Sequence, residues 1–310
     1  MNILITGCNG FIGSHLLEKF NLEESYHVTG VSRDKSFKSK KYSILYTDKI
    51  ESIDNKILKD FDVLIHTAGK AHDLKNKEKY DEYFYANTYL TQVLAKKAAL
   101  CGVKKFIYLS STKVFGESSS GCHIFDKDSP TLATDPYGKS KLEAEKNLSA
   151  ISSESTIKIV IIRLPLVYGK GVKGNMQLLS RIIKYNLPLP FKSLFSNKRS
   201  MVSINNLASL IGTCMTSDRA DGEILLVSDN YDMSTLEIVT LLKQKHKSRS
   251  LIFNFPLKII ELFGFSRQIS TLKESLVVDI QHTLKTLSWH PPQSVEEGFE
   301  DMISLEANLD

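Results

Sequence analysis

The chain has 310 residues, of which 42% are hydrophobic and 24% charged, an ordinary globular composition that excludes disordered and fibrous classes and leaves room for one large or two modest domains. Forty Lys and Arg against 35 Asp and Glu give a formal net charge of +5, but these basic residues are interspersed with acidic ones, so no nucleic-acid partner is expected and the cluster from Lys35 to Lys41 reads as a solvated loop. Cys8, Cys101, Cys122 and Cys214 lie far apart with no C-x-x-C spacing, which argues against a zinc site or a disulfide framework and fits a reducing compartment.

No apolar run reaches the length of a membrane span, and Met1 leads straight into Ile3-Leu4-Ile5. A membrane partner and a signal peptide are therefore not expected, and the expected location is the cytoplasm. In chain order, β-branched runs alternate with helical stretches, which predicts an α/β fold, a Rossmann-type doubly wound parallel sheet. Strands are expected at Asn2 to Thr6, His27 to Ser32, Ser43 to Tyr46, Val63 to Thr67, Lys105 to Ser110 and Lys158 to Leu164. A helix from Tyr83 to Leu100 carries Leu90, Val93, Leu94, Ala98 and Leu100, with Gly102 placed to end it in the left-handed conformation. Another begins near Pro136 and runs through Leu142, Ala144 and Leu148. Right-handed crossovers put every strand C-terminus, and hence any ligand, along one edge.

After Leu164 the rhythm breaks at Pro165, Gly169, Gly171, Gly174, Pro188 and Pro190. Residues 1–164 thus read as a dinucleotide-binding domain that includes the catalytic helix. Residues 165–310 read mainly as a smaller substrate-binding lobe, with some segments returning to the sheet. Ile224 to Ser228 is a further strand, and Ser234 with Glu237 forms a capping box that opens a helix through Leu242.

Gly7-Cys8-Asn9-Gly10-Phe11-Ile12-Gly13 stands between the first strand and a helix whose buried face is Ile12, Leu16, Leu17 and Phe20. Gly7 permits a tight turn, Gly10 lets a pyrophosphate approach the backbone and Gly13 lets helix and strand pack closely, so the anion meets the helix N-terminus. The same glycines could serve a plain turn; their place after a strand favours the phosphate cradle. At the end of the second strand an NAD enzyme would carry an acid for the ribose hydroxyls. Ser32-Arg33 stands there instead, and because these can bond and neutralise a 2′-phosphate, NADP is favoured over NAD. Asp48, after the third strand, is placed to accept from the adenine amino group or to form a turn.

Tyr137 and Lys141 are four apart at a helix start, so they share a face. A cationic neighbour favours phenolate, which is expected to lower the Tyr137 pKa and let it exchange a proton near neutral pH, while Lys141 can also bond the nicotinamide ribose. Of the twelve tyrosines only Tyr137 has a lysine four residues on. Phe106-Ile107-Tyr108-Leu109 runs into Ser110-Ser111-Thr112, and Ser111 is the third polar group expected in the site. No histidine pair has ligand spacing, so no metal is expected, and His66 and His72 read as core or loop residues.

Together these residues resemble the extended short-chain dehydrogenase/reductase family, in its nucleotide-sugar epimerase, dehydratase and reductase branch. The likeness rests on Gly7, Gly10 and Gly13, Ala68-Gly69, Asn87, Ser110-Ser111 with Val114-Phe115-Gly116, Tyr137 with Lys141, and Arg163-Leu164-Pro165-Leu166-Val167-Tyr168-Gly169. It implies that Phe11, Ile12, Ala68, Gly69, Asn87, Ser110 and Pro165 line the cofactor with Tyr137 and Lys141. It also implies that Ser111, Thr112, Asn175 and Arg199 contact the substrate, with Arg199 on the nucleotide diphosphate. Leu287-Ser288-Trp289-His290-Pro291 resembles the family's structural closing motif. A homodimer through the helices Tyr83 to Leu100 and Tyr137 to Leu148 follows from the resemblance alone.

Sugar 4,6-dehydratases of this family follow the catalytic hydroxyl with Asp-Glu; Thr112-Lys113 stands here, so dehydration is not expected. What remains is chemistry at sugar C4. Ser32-Arg33 and the likeness of Arg163 to Asn175 to bacterial surface-polysaccharide enzymes favour net reduction of a UDP-4-keto-6-deoxy-N-acetylhexosamine. The alternative is a UDP-hexose or UDP-N-acetylhexosamine 4-epimerase with tightly bound NAD, and a non-catalytic dinucleotide sensor is the reading from another class.

Overall fold

A computed structural model describes residues 1–70, 80–119, 124–256 and 272–304; His72 and Cys122 lie outside them. Seven parallel strands form the main sheet: β1 (Asn2–Thr6), β2 (His27–Ser32), β3 (Ser43–Tyr46), β4 (Val63–His66), β5 (Lys105–Ser111), β6 (Lys158–Leu164) and β9 (Ile224–Leu226), in the order β3-β2-β1-β4-β5-β6-β9. The expected strands are present within a residue or two at each end, because a parallel strand covered on both faces reads as a continuous apolar run. Arriving from the second half of the chain, β9 pairs with β6 through Ile161↔Ile224.

From β1 the chain winds outwards to β3, then crosses back to β4 on the other side of β1. The break between β1 and β4, paired Thr6↔His66 at their ends, is the crevice where such a sheet holds a ligand. One face of the sheet is covered by α1 (Phe11–Phe20) and α7 (Ile204–Thr216), with Leu16, Leu17, Leu207 and Ile211 fully buried. The opposite face carries α4 (Leu90–Leu100) and α5 (Pro136–Glu154), with Leu94, Ala98, Ala144 and Leu148 in the core.

The expected helix from Tyr83 to Leu100 is not one regular α-helix. A short α3 (Tyr80–Tyr83) widens into a π-helical stretch at Phe84–Tyr89 before α4 begins. The wider turn brings Asn87 and Thr88 fully inwards, the kind of irregularity that π-bulges bring to functional sites. Leu100, at the end of the helix, is 83% exposed, whereas Gly102 ends the helix at φ +81° as anticipated.

A third apolar cluster joins Tyr168, Met176, Ile183, Met201, Val239 and Phe299. It gathers α6 (Asn175–Lys184), α8 (Thr235–Lys245), α10 (Val295–Ile303) and a two-stranded parallel sheet of β7 (Leu166–Tyr168) and β8 (Met201–Ser203). Three-residue strands carry too few positions for periodicity to reveal them. The Ser234/Glu237 capping box opens α8 as expected, and Trp289, after α9 (Gln281–Leu287), is buried with its indole N–H donating to Ser209 Oγ at 3.1 Å. Among the described residues no helix is long and apolar enough to cross a membrane.

Candidate active site

The glycine loop sits at the crevice. Gly7 has φ +72°, and a Cβ there would lie 2.7 Å from the Ala68 amide nitrogen across the β1/β4 break. A Cβ on Gly13 would come within 2.3 Å of the Gly7 carbonyl oxygen, so α1 can start against the strand only because position 13 is glycine. Gly10 caps α1 with no side-chain hydrogen bond, so no side chain competes for the first-turn amides of Phe11, Ile12 and Gly13, the donors an incoming phosphate needs. The residues present therefore fit a dinucleotide.

At the end of β2, Ser32 is buried, and its hydroxyl donates to the Asp34 carbonyl at 3.1 Å and accepts from the Asp34 amide at 3.0 Å. Arg33 and Asp48 are exposed. Asp34, two residues past the strand, carries a carboxylate that accepts from the Ser36 amide and hydroxyl, which hold it below the usual carboxylate range.

On the opposite side of the crevice, Asn87 is fully buried and its side chain is engaged by the protein. Its Oδ1 accepts from the Lys70 amide at 2.8 Å, and its Nδ2 donates to the Lys70 carbonyl and to Ser140 Oγ at 3.1 and 3.0 Å. It thus ties the segment after Ala68-Gly69 to the helix that bears Tyr137 and Lys141. Gly69 permits this, since a Cβ there would lie 2.7 Å from Asn87 Oδ1. Thr88 adds a bond to the Ser140 carbonyl at 2.8 Å.

Beneath that tie, Thr91 Oγ1 donates to the Asn87 carbonyl at 2.6 Å and faces His66 Nε2 at 3.0 Å, while Thr6 Oγ1 lies 2.7 Å from His66 Nδ1. With the Thr91 proton spent on Asn87, His66 donates from Nε2, and in its neutral form it accepts from Thr6 at Nδ1. Burial, with the Lys141 charge, pushes its pKa down to about 3. Because the folded pKa is below the ordinary value of 6.5, the group favours folding above pH 6.5, and that advantage is lost as pH falls. The loss should be about 2 kcal/mol between pH 6.5 and 5. Thermal unfolding followed across this range is expected to show a shallower acid limb in His66→Asn than in the parent; equal limbs would remove His66 as its cause.

The catalytic helix α5 starts where Asp135 Oδ1 accepts from the Tyr137 and Gly138 amides at 3.0 and 3.1 Å, with Pro136 in the first turn. Gly138 lets this turn close on β5, for a Cβ there would lie 2.5 Å from the Lys113 carbonyl oxygen. Neither residue stood out in the sequence, although a glycine directly after Tyr137 was the available signal. The closure brings Tyr137 up to Ser111, whose hydroxyl favours the phenolate. Ser111 Oγ also accepts from the Lys113 amide at 3.2 Å, fixing its rotamer.

Lys141 is buried, its Nζ donating to the Leu109 carbonyl at 2.8 Å, 4.7 Å above the Tyr108 ring and 6.0 Å from the centre of the Tyr137 ring. The expected depression of the Tyr137 pKa is corrected here. Loss of solvation outweighs the Ser111 contact and pushes the phenol up to about 12, with the Asp135 and Tyr83 charges adding to the rise. Burial instead lowers Lys141 itself to about 8, with Glu145 opposing.

Ser110 does not turn its hydroxyl to the crevice; it donates to Glu145 Oε1 at 2.5 Å. Thr112 is buried in the turn after β5. Pro165 follows β6, and Arg199 precedes β8, so the Leu166↔Met201 register brings both to the entry of the small sheet beside the β6 terminus. Arg199 is largely buried and pairs through its backbone with Met233. Desolvation lowers its pKa, and Glu274 partly offsets this. Asn175 is exposed at the first turn of α6, which Gly174 opens at φ +72°.

A family model described as the NAD dependent epimerase/dehydratase family matches residues 3–227. The chain is 40% identical, over 99% of its length and 96% of the relative's, to a UDP-glucose 4-epimerase from Vibrio cholerae. It is 24% identical, over 97% and 96%, to a dTDP-4-dehydro-6-deoxyglucose reductase from Escherichia coli. Among solved structures, a UDP-glucuronic acid 4-epimerase from Bacillus cereus in complex with NAD superposes with a TM-score of 0.81 at 23% identity, covering 100% of this chain and 99% of that one.

Proposed function

Because the chain belongs to the NAD dependent epimerase/dehydratase family, we propose that it is a UDP-sugar 4-epimerase that keeps NAD bound through turnover. The observation that carries this reading is the meeting of Tyr137 and Ser111 at the sheet edge, with the Lys141 ammonium 6.0 Å from the centre of the Tyr137 ring, in a chain 40% identical over nearly its full length to a UDP-glucose 4-epimerase. NAD, when bound, supplies the acceptor and donor of hydride at C4. Gly7, Gly10 and Gly13 hold its pyrophosphate, Asp34 is the acid nearest the end of β2, and Asp48, Ala68, Gly69 and Pro165 border it.

Tyr137 takes the proton from the C4 hydroxyl and returns it, with Ser111 sharing the oxygen through its own hydroxyl. A phenol at about 12 is a poor base at neutral pH, so a cation close to it must stabilise phenolate during turnover. Lys141 is the cation the chain itself supplies. Thr112 and the Lys113 carbonyl are packed against α5 where a dehydratase needs an acid and a base, which supports chemistry without loss of water. Arg199 and Asn175 are the residues assigned to the UDP diphosphate and the sugar.

The second reading is the NADPH-dependent 4-reductase favoured by Ser32-Arg33. Its support is the exposed Arg33; against it, the Ser32 hydroxyl is committed to the Asp34 backbone, and Asp34, two residues past β2, brings a negative charge that opposes a 2′-phosphate near that strand end. Denaturing the purified protein and identifying what it releases separates the two. Retained NAD, with UDP-sugars interconverted and no net NADPH use, is expected. Protein that carries no NAD and consumes NADPH with a UDP-4-keto sugar would overturn the epimerase in favour of the reductase.

The same reading places the enzyme in the cytoplasm, supplying sugar nucleotides for surface polysaccharide, with residues 165–310 mainly forming the substrate lobe. It also makes it a homodimer. Tyr80, Phe84, Tyr85 and Tyr89, all more than a third exposed, supply an aromatic surface ahead of α4 that a second copy would cover. Light scattering that gives a monomer would overturn that assembly.

A further inference from the structure

Glu145 takes part in none of the chemistry above, yet it is 3% exposed, and carboxylates are rarely so buried without a partner. It lies four residues after Lys141 on α5, hence on the same face. Arg163, 4% exposed, donates to it twice, Nη2 to Oε2 at 2.8 Å and Nε to Oε1 at 3.2 Å. Ser110 donates to Oε1 as well. Ser110 and Arg163 face each other across the β5–β6 ladder, and the next pair along is Ser111↔Leu164. One carboxylate therefore clamps α5 to two strand ends, one residue before Ser111 on the first and two before Pro165 on the second. The Arg163 guanidinium also lies 4.8 Å from the centre of the Phe115 ring, which fixes its plane.

Among the described residues, the titratable groups shown acting on or facing Lys141 come from three elements: Tyr137 and Glu145 on α5 itself, Tyr108 on β5 and His66 on β4. His66 is neutral, Tyr108 is held protonated by burial and Tyr137 is pushed up to about 12. Near neutral pH Glu145 is thus the one anion in this set. Its charge favours the protonated form of Lys141 and is bonded to the Arg163 guanidinium, a cation whose field opposes it.

We propose that Glu145, with Arg163 as its counter-charge, is the positioning residue of this site: it seats α5 against Ser111 and sets the charge that Lys141 carries during turnover. The proposal deepens the 4-epimerase reading and rests on it for its kinetic consequence, but the charge on Lys141 can be read without turnover. In Glu145→Gln the attraction is gone and Arg163 is left as an unbalanced cation, so Lys141 should lose its proton earlier. In Arg163→Met the carboxylate is left to Lys141, which should hold its proton longer.

Lysine labelled with ¹³C at Cε, with the Lys141 resonance assigned by its absence in Lys141→Arg, gives the titration directly by NMR. Relative to the parent, Glu145→Gln is expected to move the Lys141 midpoint down by about one unit or more and Arg163→Met to move it up by about one unit, opposite signs that loosened packing would not produce. The double variant Glu145→Gln/Arg163→Met should fall between Glu145→Gln and the parent, and it decides the matter if a single variant does not fold. In folded variants that turn over, the pH profile of kcat should move with the midpoint while KM for the UDP-sugar stays within about threefold. Shifts of the same sign, or none, would overturn the proposal. Opposite shifts in a protein without epimerase activity would leave it standing and reject the 4-epimerase reading instead.

Discussion

Replacing Tyr137 with Phe is expected to cut turnover by about 10²–10⁴-fold, the usual worth of a positioned acid–base group, while leaving cofactor retention unchanged. The ring itself is well seated, edge-on to Tyr83 with centres 6.1 Å apart, and Phe preserves that contact. Only the oxygen is removed, and with it the contact with Ser111. Stability should therefore change little, because Ser111 Oγ keeps its bond from the Lys113 amide. The measurement is turnover of a UDP-sugar beside the amount of NAD released on denaturation. Residual activity above about a tenth of the parent value would be inconsistent with a catalytic loss of the expected size and would remove Tyr137 from the mechanism.

Gly13→Ala should be the most damaging single-methyl change in the cofactor loop. The new Cβ would lie 2.3 Å from the Gly7 carbonyl oxygen, 2.8 Å from the Gly7 carbonyl carbon and 2.9 Å from the Cys8 Cα. All three are backbone atoms, so no side chain can swing away. Either α1 backs off the sheet or the loop opens, and a stability loss of about 3 kcal/mol is expected together with loss of retained NAD. Gly102→Ala is the control. Gly102 also has positive φ, at +81°, but nothing lies within 4 Å of its would-be Cβ, so the cost is backbone strain of roughly 1 kcal/mol with NAD retention intact. Denaturant unfolding and cofactor release on the same samples give both quantities. A Gly13→Ala protein as stable and as well loaded as Gly102→Ala would show that the close approach does not matter.

Both predictions begin from residues legible in the sequence, because each depends on local rules. A phosphate loop must follow a strand and open a helix, and Gly7, Gly10 and Gly13 meet that condition, spaced three apart from the end of β1 into α1. A tyrosine and a lysine four apart share a helix face whatever surrounds them. Ser32 shows where such rules stop. A serine at the end of β2 looked available to a phosphate, but the Asp34 backbone takes its hydroxyl in both directions. Ser110 is similar, adjacent to Ser111 in sequence yet bonded to Glu145. Asn87 was singled out for the cofactor, and its amide is spent joining Lys70 to Ser140.

The sequence by itself determined the strands of the main sheet, the glycine-loop motif, the Tyr137–Lys141 helix and the family, since apolar runs and short spacings encode these within a few residues. Only the tertiary structure decided the electrostatics. The phenol is pushed up rather than down, Lys141 is lowered to about 8, and Glu145 on α5 is held by two strands through Arg163 and Ser110, 18 and 35 residues away in the chain. The physical reason is that a charge depends on distance and solvation in three dimensions, and neither is a property of spacing along the chain.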